Sequence, residues 1–543
     1  MSSLTADDIF KSLLQKNYFP AQRKAYGEIP PIFTSEGITR DIANEIGGLP
    51  TRNRQGFDYI DFTSTRFDLV PRILQIPFPK GYIDLCACIR DHWDHIKHIC
   101  HGQMSAIKPT KHKDGRVIIM DYGDREQKEW WHIEQSFSER FGIHSDITNF
   151  FPSVYTHSIG WAAVGHEEAK KSINGRSKWY NELDKRQRLT TRNETKGVPI
   201  GPATSNIITE FILQAIDNQF LREHHCGITP STSPEGDVSR IGQNPGFFYK
   251  RYIDDYQCYA KTREKAEEFV RELRMELSKF GLHLNTKKTH IYELPDTSEN
   301  SWMGEIQSAL PRSKTASFLD AKRFLDYIVV LAKKYPSKSI IKYGLKCILK
   351  TPPQGGEERE AYRKILGYAL NLAFHYPAII PTLSVAFKPE NIDLWRSHQR
   401  KLAVILKDAV KNHRSDGVSW ILYLCLIYKH SISEDTARRI IKTTDCISIT
   451  LLYLSSQHND LVEEYANKLI ENYSSVSPPF ELDKQWLLTY QLFFDEKINN
   501  PYPQDVAGYK TFDVLKKNNV TFIRDIHQPV SQEDTDPSSD SAE

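Results

Sequence analysis

Two adjacent acids, Asp254 and Asp255, sit in an aromatic stretch of this 543-residue chain, residues 249–260 (YKRYIDDYQCYA). Neighbouring carboxylates repel one another, and such a pair is best tolerated where solvent or a divalent cation compensates it. A solvated turn is the plain alternative. A third acid, Asp146, follows Gly142 and Ile143 and opens an apolar, aromatic run in HSDITNFFPSVY, residues 144–155. Gly197, Pro199, Gly201 and Pro202 then make a tight loop whose backbone can approach a ligand closely. Lys287 and Lys288 stand in FGLHLNTKKTHI, residues 280–291.

These groups act together only if local elements position them. The spacing predicts a strand at Asp146 that turns into a helix at Pro152. Residues 249–260 read as a hairpin with Tyr252 and Ile253 on one arm, the acids near the turn and Tyr256 and Tyr259 on the other arm. The Gly/Pro loop leads into a helix over 207–216, and a turn at Gly281 leads into a short strand carrying Lys287 and Lys288. One strand beside one hairpin would join Asp146 to Asp254. Residues 1–300 mix short apolar runs with Pro and Gly punctuation, as an α+β region does. From about 315 to 525 the apolar residues instead recur at helical spacing, as in Phe324, Leu325, Ile328, Leu331 and Tyr335, or Leu402, Ile405, Leu406, Ala409 and Val410. Helix ends fall at Tyr335-Pro336 and Tyr376-Pro377. A HEAT-like stack and an irregular helical bundle both fit.

In this order the pieces resemble motifs A (146–151), B (197–205), C (252–255) and D (281–289) of reverse transcriptases. With RILQIPFPKGY (72–82), DHWDHI (91–96) and KGVPIGPATS (196–205), the chain looks most like the bacterial antiphage reverse transcriptases of the abortive-infection and unknown-group kind. The resemblance covers roughly residues 60–295. It implies an α+β palm and fingers over 1–300, followed by an all-α domain over 301–526 in place of an ordinary thumb. It also implies an antiphage enzyme that adds dNTPs with two Mg²⁺ ions, for which Mn²⁺ can substitute, without a template and primed from a protein hydroxyl; template-directed copying of RNA and a catalytically idle palm that senses nucleic acid or a phage protein are the alternatives. Asp146, Asp254, Asp255 and the backbone carbonyl of Ile147 would be the metal ligands, and Lys288 would protonate or neutralise the departing pyrophosphate. Phe151, five residues beyond Asp146, would block a ribose 2′-hydroxyl; a core Phe beside Phe150 is the other reading. Gly197, Pro199 and Gly201 would line the dNTP site. A turn at Lys113-Asp114-Gly115, between 106–108 and 116–118, would offer Lys108 and Arg116 to phosphates; a solvated basic hairpin is the alternative. Further implied partners are single-stranded DNA or RNA, a self-primed covalent DNA product and a second copy of the chain. Two departures stand out. Motif B opens on Lys196 where Gln is usual, and a Ser/Pro/Gly-rich insert at 227–246 separates motifs B and C.

Composition sets outer bounds. The chain is 39% hydrophobic and 26% charged, which excludes collagen-like and wholly disordered classes and predicts several cores. With 71 Lys and Arg against 69 Asp and Glu, a polyanion must be met by a local basic surface, such as Arg312, Lys314, Lys322, Arg323, Lys333 and Lys334. Eight scattered cysteines fit a reducing compartment, and no apolar run approaches a membrane span, so the expected location is cytoplasmic without membrane contact. The acidic tail, 527–543, is expected to be disordered. His92, His95, His98, Cys100 and His101 cluster at helical spacing. Ordinary packing is the expectation there, with a zinc site as the rival.

Overall fold

The computed structural model describes residues 4–22, 27–67, 70–119, 125–172, 178–223, 247–295, 301–311, 317–336, 339–350, 352–504 and 506–525. The insert at 227–246, the tail at 527–543 and the expected boundary at 300 lie outside them, as do Arg312 and Lys314.

Strands β1 (Tyr59–Ser64) and β2 (Arg72–Pro77) form an antiparallel hairpin. Strands β3 (Phe141–Asp146), β4 (Phe247–Tyr252), β5 (Asp255–Ala260) and β6 (His290–Glu293) form a second sheet in the order β4-β5-β3-β6. Its neighbouring pairs are all antiparallel.

Two helices cover one face of this sheet. Ala203–Glu223 extends beyond the expected 207–216 and is buried nearly all round, including Ile207, Phe211, Ile216 and Phe220. That is the pattern of a helix threaded through a core. Arg263–Lys279 is amphipathic, begins where the Thr262 side chain accepts the Lys265 N–H, and buries Ala266, Phe269, Leu273 and Leu277. Phe220, Tyr249 and Phe269 meet edge-on and tilted at centroid distances of 5.4–5.7 Å, locking helices to sheet. On the opposite face, helix Arg125–Ser136 brings Trp131 to Phe248 and lets the His132 ring pair with the Tyr259 hydroxyl at 2.8 Å.

Beyond residue 300 the described chain is helical. Phe318–Lys334 and Ile392–Lys411 bury the two apolar stripes read from sequence, except that Tyr335 caps its helix half-buried. Among the described residues helix lengths vary between 4 and 20, and the helices are interrupted by 3-10 turns such as Pro377–Ile379, which favours the irregular arrangement over a regular repeat. No helix is long and apolar enough to cross a membrane among the described residues.

The expectation of several cores needs correcting, since one apolar cluster runs from Ile9 to Phe522. The reason is that the last helices fold back onto the first residues. Trp486 is fully buried, lies parallel to Tyr18 at 6.2 Å and donates its indole N–H to the Ile76 carbonyl of β2. Phe512 stacks on Phe78 at 5.8 Å, and Phe33 bridges to Ile523. Buried Asp483 accepts Arg52 Nη1 at 2.5 Å, the Asp58 N–H at 3.1 Å and the Tyr502 hydroxyl at 3.0 Å. Asp416 in turn accepts the N–H and hydroxyl of Thr65, just beyond β1.

Candidate active site

Register brings the acids together. In the β3–β5 ladder Asp146 faces Asp255, and beyond the strand end the Ile147 N–H donates to the Asp254 carbonyl at 3.1 Å. Ile253 and Asp254 form the two-residue turn joining β4 to β5, so Ile253 belongs to the turn and not to an arm. Its φ is +58°, rare for a β-branched residue because Cβ crowds the backbone there. Such strain persists only when the surroundings impose it.

The imposing group is Arg251. Fully buried, it donates Nη1 to the Ile253 carbonyl at 3.1 Å and to Glu210 Oε2 at 2.9 Å, Nη2 to Glu210 Oε1 at 3.0 Å, and Nε to Asp217 Oδ2 at 2.9 Å. Tyr249 donates its hydroxyl to the other Asp217 oxygen at 3.1 Å. The hairpin is thereby bolted to helix Ala203–Glu223 by a guanidinium held between acids seven residues apart on one helix face. Sequence reasoning passed over this network. Its signal was a charged residue in step with Tyr249 and Ile253 on the inward side of an aromatic strand.

The site is strongly electronegative. The Asp254 carboxyl is pushed up to about 7, first by burial, then by Asp255 and Asp146. Asp255 is pushed up to about 6, again chiefly by burial, with His144 opposing and Asp146 reinforcing the rise. His144 Nε2 lies 3.7 Å from Asp255 Oδ1. Asp146 accepts Asn285 Nδ2 at 3.1 Å and Lys288 Nζ at 2.8 Å. Burial pulls the Lys288 ammonium down, but Asp146 and the two other acids more than offset this and leave it raised. The lysine is thus held as a cation. Lys287 and Lys288 occupy the turn before β6 rather than the strand itself, because residues 283–285 continue the sheet edge, with the Asn285 N–H on the Asp146 carbonyl. His144 and Asn285 were not anticipated from sequence.

This donor set fits hard divalent cations: carboxylates converge at one sheet end, and their mutual repulsion leaves negative charge that a cation would neutralise. Asp146, Asp254 and Asp255 would hold it, with the Ile147 carbonyl adjacent in the chain. No direct contact ties Ile147 to a ligand role.

The loop of motif B lies against motif A. Gly197, at φ +90°, donates its N–H to the Val154 carbonyl, and the Val198 N–H reaches the Phe151 carbonyl at 3.1 Å. Gly201 sits at φ +132°, where a Cβ would lie 2.6 Å from Pro20 Cγ, so only glycine fits. Pro199 is buried between them, and Lys196 is exposed. Phe151 is half-buried in the short helix Phe150–Ser153, its ring edge-on to the buried Phe150 at 5.3 Å.

The two residues of the expected phosphate clamp sit in different surroundings from those of a simple hairpin. The turn at Lys113-Asp114-Gly115 is present, closed by the Gly115 N–H on the His112 carbonyl, and pairs His112 with Arg116 and Thr110 with Val117. Residues 104–106 instead run along β4, with Ala106 N–H on the Arg251 carbonyl. Arg116 is buried and donates Nε to Asp114 Oδ2 at 2.6 Å, since the acid two residues earlier in the turn closes on it. Lys108 is half-buried, its ammonium pushed down by burial while Glu210 opposes the shift. Neither is presented as a solvated basic hairpin.

Three residues of the basic track along the helical half are likewise paired: Lys322 Nζ meets Asp326 at 2.6 Å, Arg323 meets Asp320 at 3.1 Å, and Lys334 meets Glu305 at 3.1 Å. In the histidine run, His95 lies flat on Trp179 at 4.9 Å and His98 packs edge-on against Phe211, so the run does not converge on one point.

Residues 87–334 match the model of a family described as reverse transcriptase (RNA-dependent DNA polymerase). Among solved structures, apo telomerase from Candida tropicalis aligns at 9% identity and a TM-score of 0.32, covering 79% of this chain and 74% of that one. Telomerase from Candida albicans in complex with the TWJ fragment of telomeric RNA aligns at 9% identity and a TM-score of 0.29, covering 77% of this chain and 65% of that one. No curated protein matches.

Proposed function

We propose that the chain, whose residues 87–334 match the reverse transcriptase family model and whose following residues are helical, polymerises dNTPs into DNA at Asp146, Asp254 and Asp255. The observation carrying this reading is the convergence of the three carboxylates: Asp146 opposite Asp255 in register, with Asp254 at the adjoining turn. Divalent ions, Mg²⁺ foremost and Mn²⁺ as a substitute, would lower the pKa of the attacking hydroxyl and neutralise the triphosphate there.

The chain's own residues supply the remainder. Arg251 fixes the turn that carries Asp254. Lys288, kept cationic by Asp146, provides positive charge beside the site for the departing pyrophosphate. The ring of Phe151, backed by Phe150 and tied through its carbonyl to the motif B loop, excludes a sugar 2′-hydroxyl. Gly197, Pro199 and Gly201 give the nucleotide a wall of backbone with few side chains.

The finer reading is synthesis without a template, primed from a protein hydroxyl, by a cytoplasmic homo-oligomer acting against phage. It rests on the motif stretches that resemble the antiphage branch and on a helical region in place of a thumb. The deciding experiment incubates the purified protein with dNTPs and Mg²⁺, with and without RNA, then sequences the product and treats it with nuclease and protease. Product of sequence unrelated to the RNA, and shortened by protease, supports the finer reading. A faithful copy of the RNA replaces it with template-directed synthesis, and no polymer from any dNTP overturns polymerisation.

A further inference from the structure

Away from the carboxylates, two helices bring a different donor set together. Cys88 lies in the last turn of helix Pro79–Asp91, His92 caps that helix four residues later, and Glu182 lies in the first turn of helix Trp179–Leu189. One ligand atom from each, the Cys88 sulfur, a His92 ring nitrogen and a Glu182 carboxylate oxygen, lies within 4.8 Å of the other two. Cys88 is buried, and the other two are half-buried.

We propose that Cys88, His92 and Glu182 form a zinc site, with water in the fourth position, that staples these two helices together. The spacing fits the ion. Zinc–nitrogen and zinc–oxygen bonds of roughly 2.0–2.1 Å put neighbouring tetrahedral ligands about 3.3 Å apart. His92 Nε2 and Glu182 Oε2 are 3.3 Å apart. The sulfur lies within 4.8 Å of a ligand atom of each partner.

Ligand type argues in the same direction. A thiolate with an imidazole selects zinc over the hard cations suited to Asp146, Asp254 and Asp255. A thiolate and a carboxylate together balance a divalent ion. The nearby Arg186 guanidinium, 3.6 Å from Glu182, does not upset that balance, because its other nitrogen pairs with Asp84 at 3.3 Å. Arg186 also favours the thiolate form of Cys88, which burial and Glu182 oppose. A metal ion reverses that opposition by drawing the sulfur and carboxylate to a common positive centre.

The histidine run obscured this site in sequence. His92 is the one member of that run in the cluster, and its partners lie four residues upstream and on another helix. His95 and His98 are occupied by Trp179 and Phe211. The other reading of the same atoms is a His–Glu hydrogen bond above a buried thiol.

Cobalt separates the two readings, because a thiolate bound to Co²⁺ gives a charge-transfer absorption that carboxylate ligands do not. Full-length protein stripped with EDTA should acquire this band on Co²⁺ titration and lose it on adding Zn²⁺. Cys88→Ser should abolish the band, and Cys100→Ser should leave it intact. Glu182→Gln, a half-exposed and mild change, should weaken Co²⁺ binding at least ~10-fold. Cobalt bound without the band, or a band that survives Cys88→Ser, would overturn the proposal. So would a band of undiminished affinity in Glu182→Gln, which keeps the test decisive should Cys88→Ser fail to fold. None of these readouts depends on polymerase activity.

Discussion

At Asp254, burial and two neighbouring acids oppose ionisation, and this has a measurable sign. An acid whose folded pKa is raised contributes stability that is present below its unfolded value of 3.8 and lost as pH rises through about 7. Metal-free protein should therefore melt lower at pH 8 than at pH 5.5 on this group's account, and Mg²⁺ should recover the difference at pH 8. Asp254→Asn should raise the metal-free melting temperature at pH 8 by about 1–3 °C and remove most of the Mg²⁺ response, while polymerisation falls at least ~100-fold. Near-normal synthesis by a folded Asp254→Asn protein would refute the assignment of these acids. Phe151→Ala should raise incorporation of rNTPs relative to dNTPs, read from single-nucleotide addition, because a steric exclusion of a few kcal/mol disappears. An unchanged ratio in an active variant would return Phe151 to plain core packing. The three acids were legible because each stands in an apolar, aromatic setting that is local. Arg116 was not, since its partner Asp114 reveals itself only once the turn closes, and Asn285 and His144 matter through strand register that no local pattern displays.

At the scale of elements, one buried guanidinium connects hairpin to helix. Arg251→Met leaves Glu210 and Asp217 as uncompensated buried acids, an expected loss of about 3–5 kcal/mol in urea unfolding. Arg251→Lys keeps a charge but cannot make the forked contact to Glu210 while reaching both Asp217 and the Ile253 carbonyl. Its synthesis should drop by more than its stability accounts for, as measured at a temperature where both proteins are fully folded. Equal losses would reduce Arg251 to a stabiliser. The hairpin, the strand ending at Asp146 and the two apolar stripes of the helical half could be read from periodicity. The bolt between Arg251 and helix Ala203–Glu223 could not, because the inward charge on the strand does not say which acids, 34 and 41 positions away, it will meet.

For the whole molecule, the pairing of Arg52 with Asp483 and the burial of Trp486 against β2 make the first and last parts of the chain one body. Arg52→Leu should lower stability by about 3–5 kcal/mol by leaving Asp483 buried and unpaired. Calorimetry should show a single shifted transition rather than loss of one of two. A fragment ending near 315 would strip the cover from β1 and β2, so failure of such a fragment to make polymer would reflect misfolding; charge reversal at Lys322 and Arg323 is the cleaner probe of strand binding. Sequence periodicity foretold the helices but not their return to the N-terminal hairpin, because contacts between distant segments leave no local pattern. That return also sets a timetable on the ribosome. The carbonyl of Ile76 waits for an indole 410 residues later, roughly 20–80 s at ordinary elongation rates. Through that interval the nascent hairpin shows a bare apolar flank, a natural client for chaperones, and a translation product that stops before Trp486 should not reach the native fold.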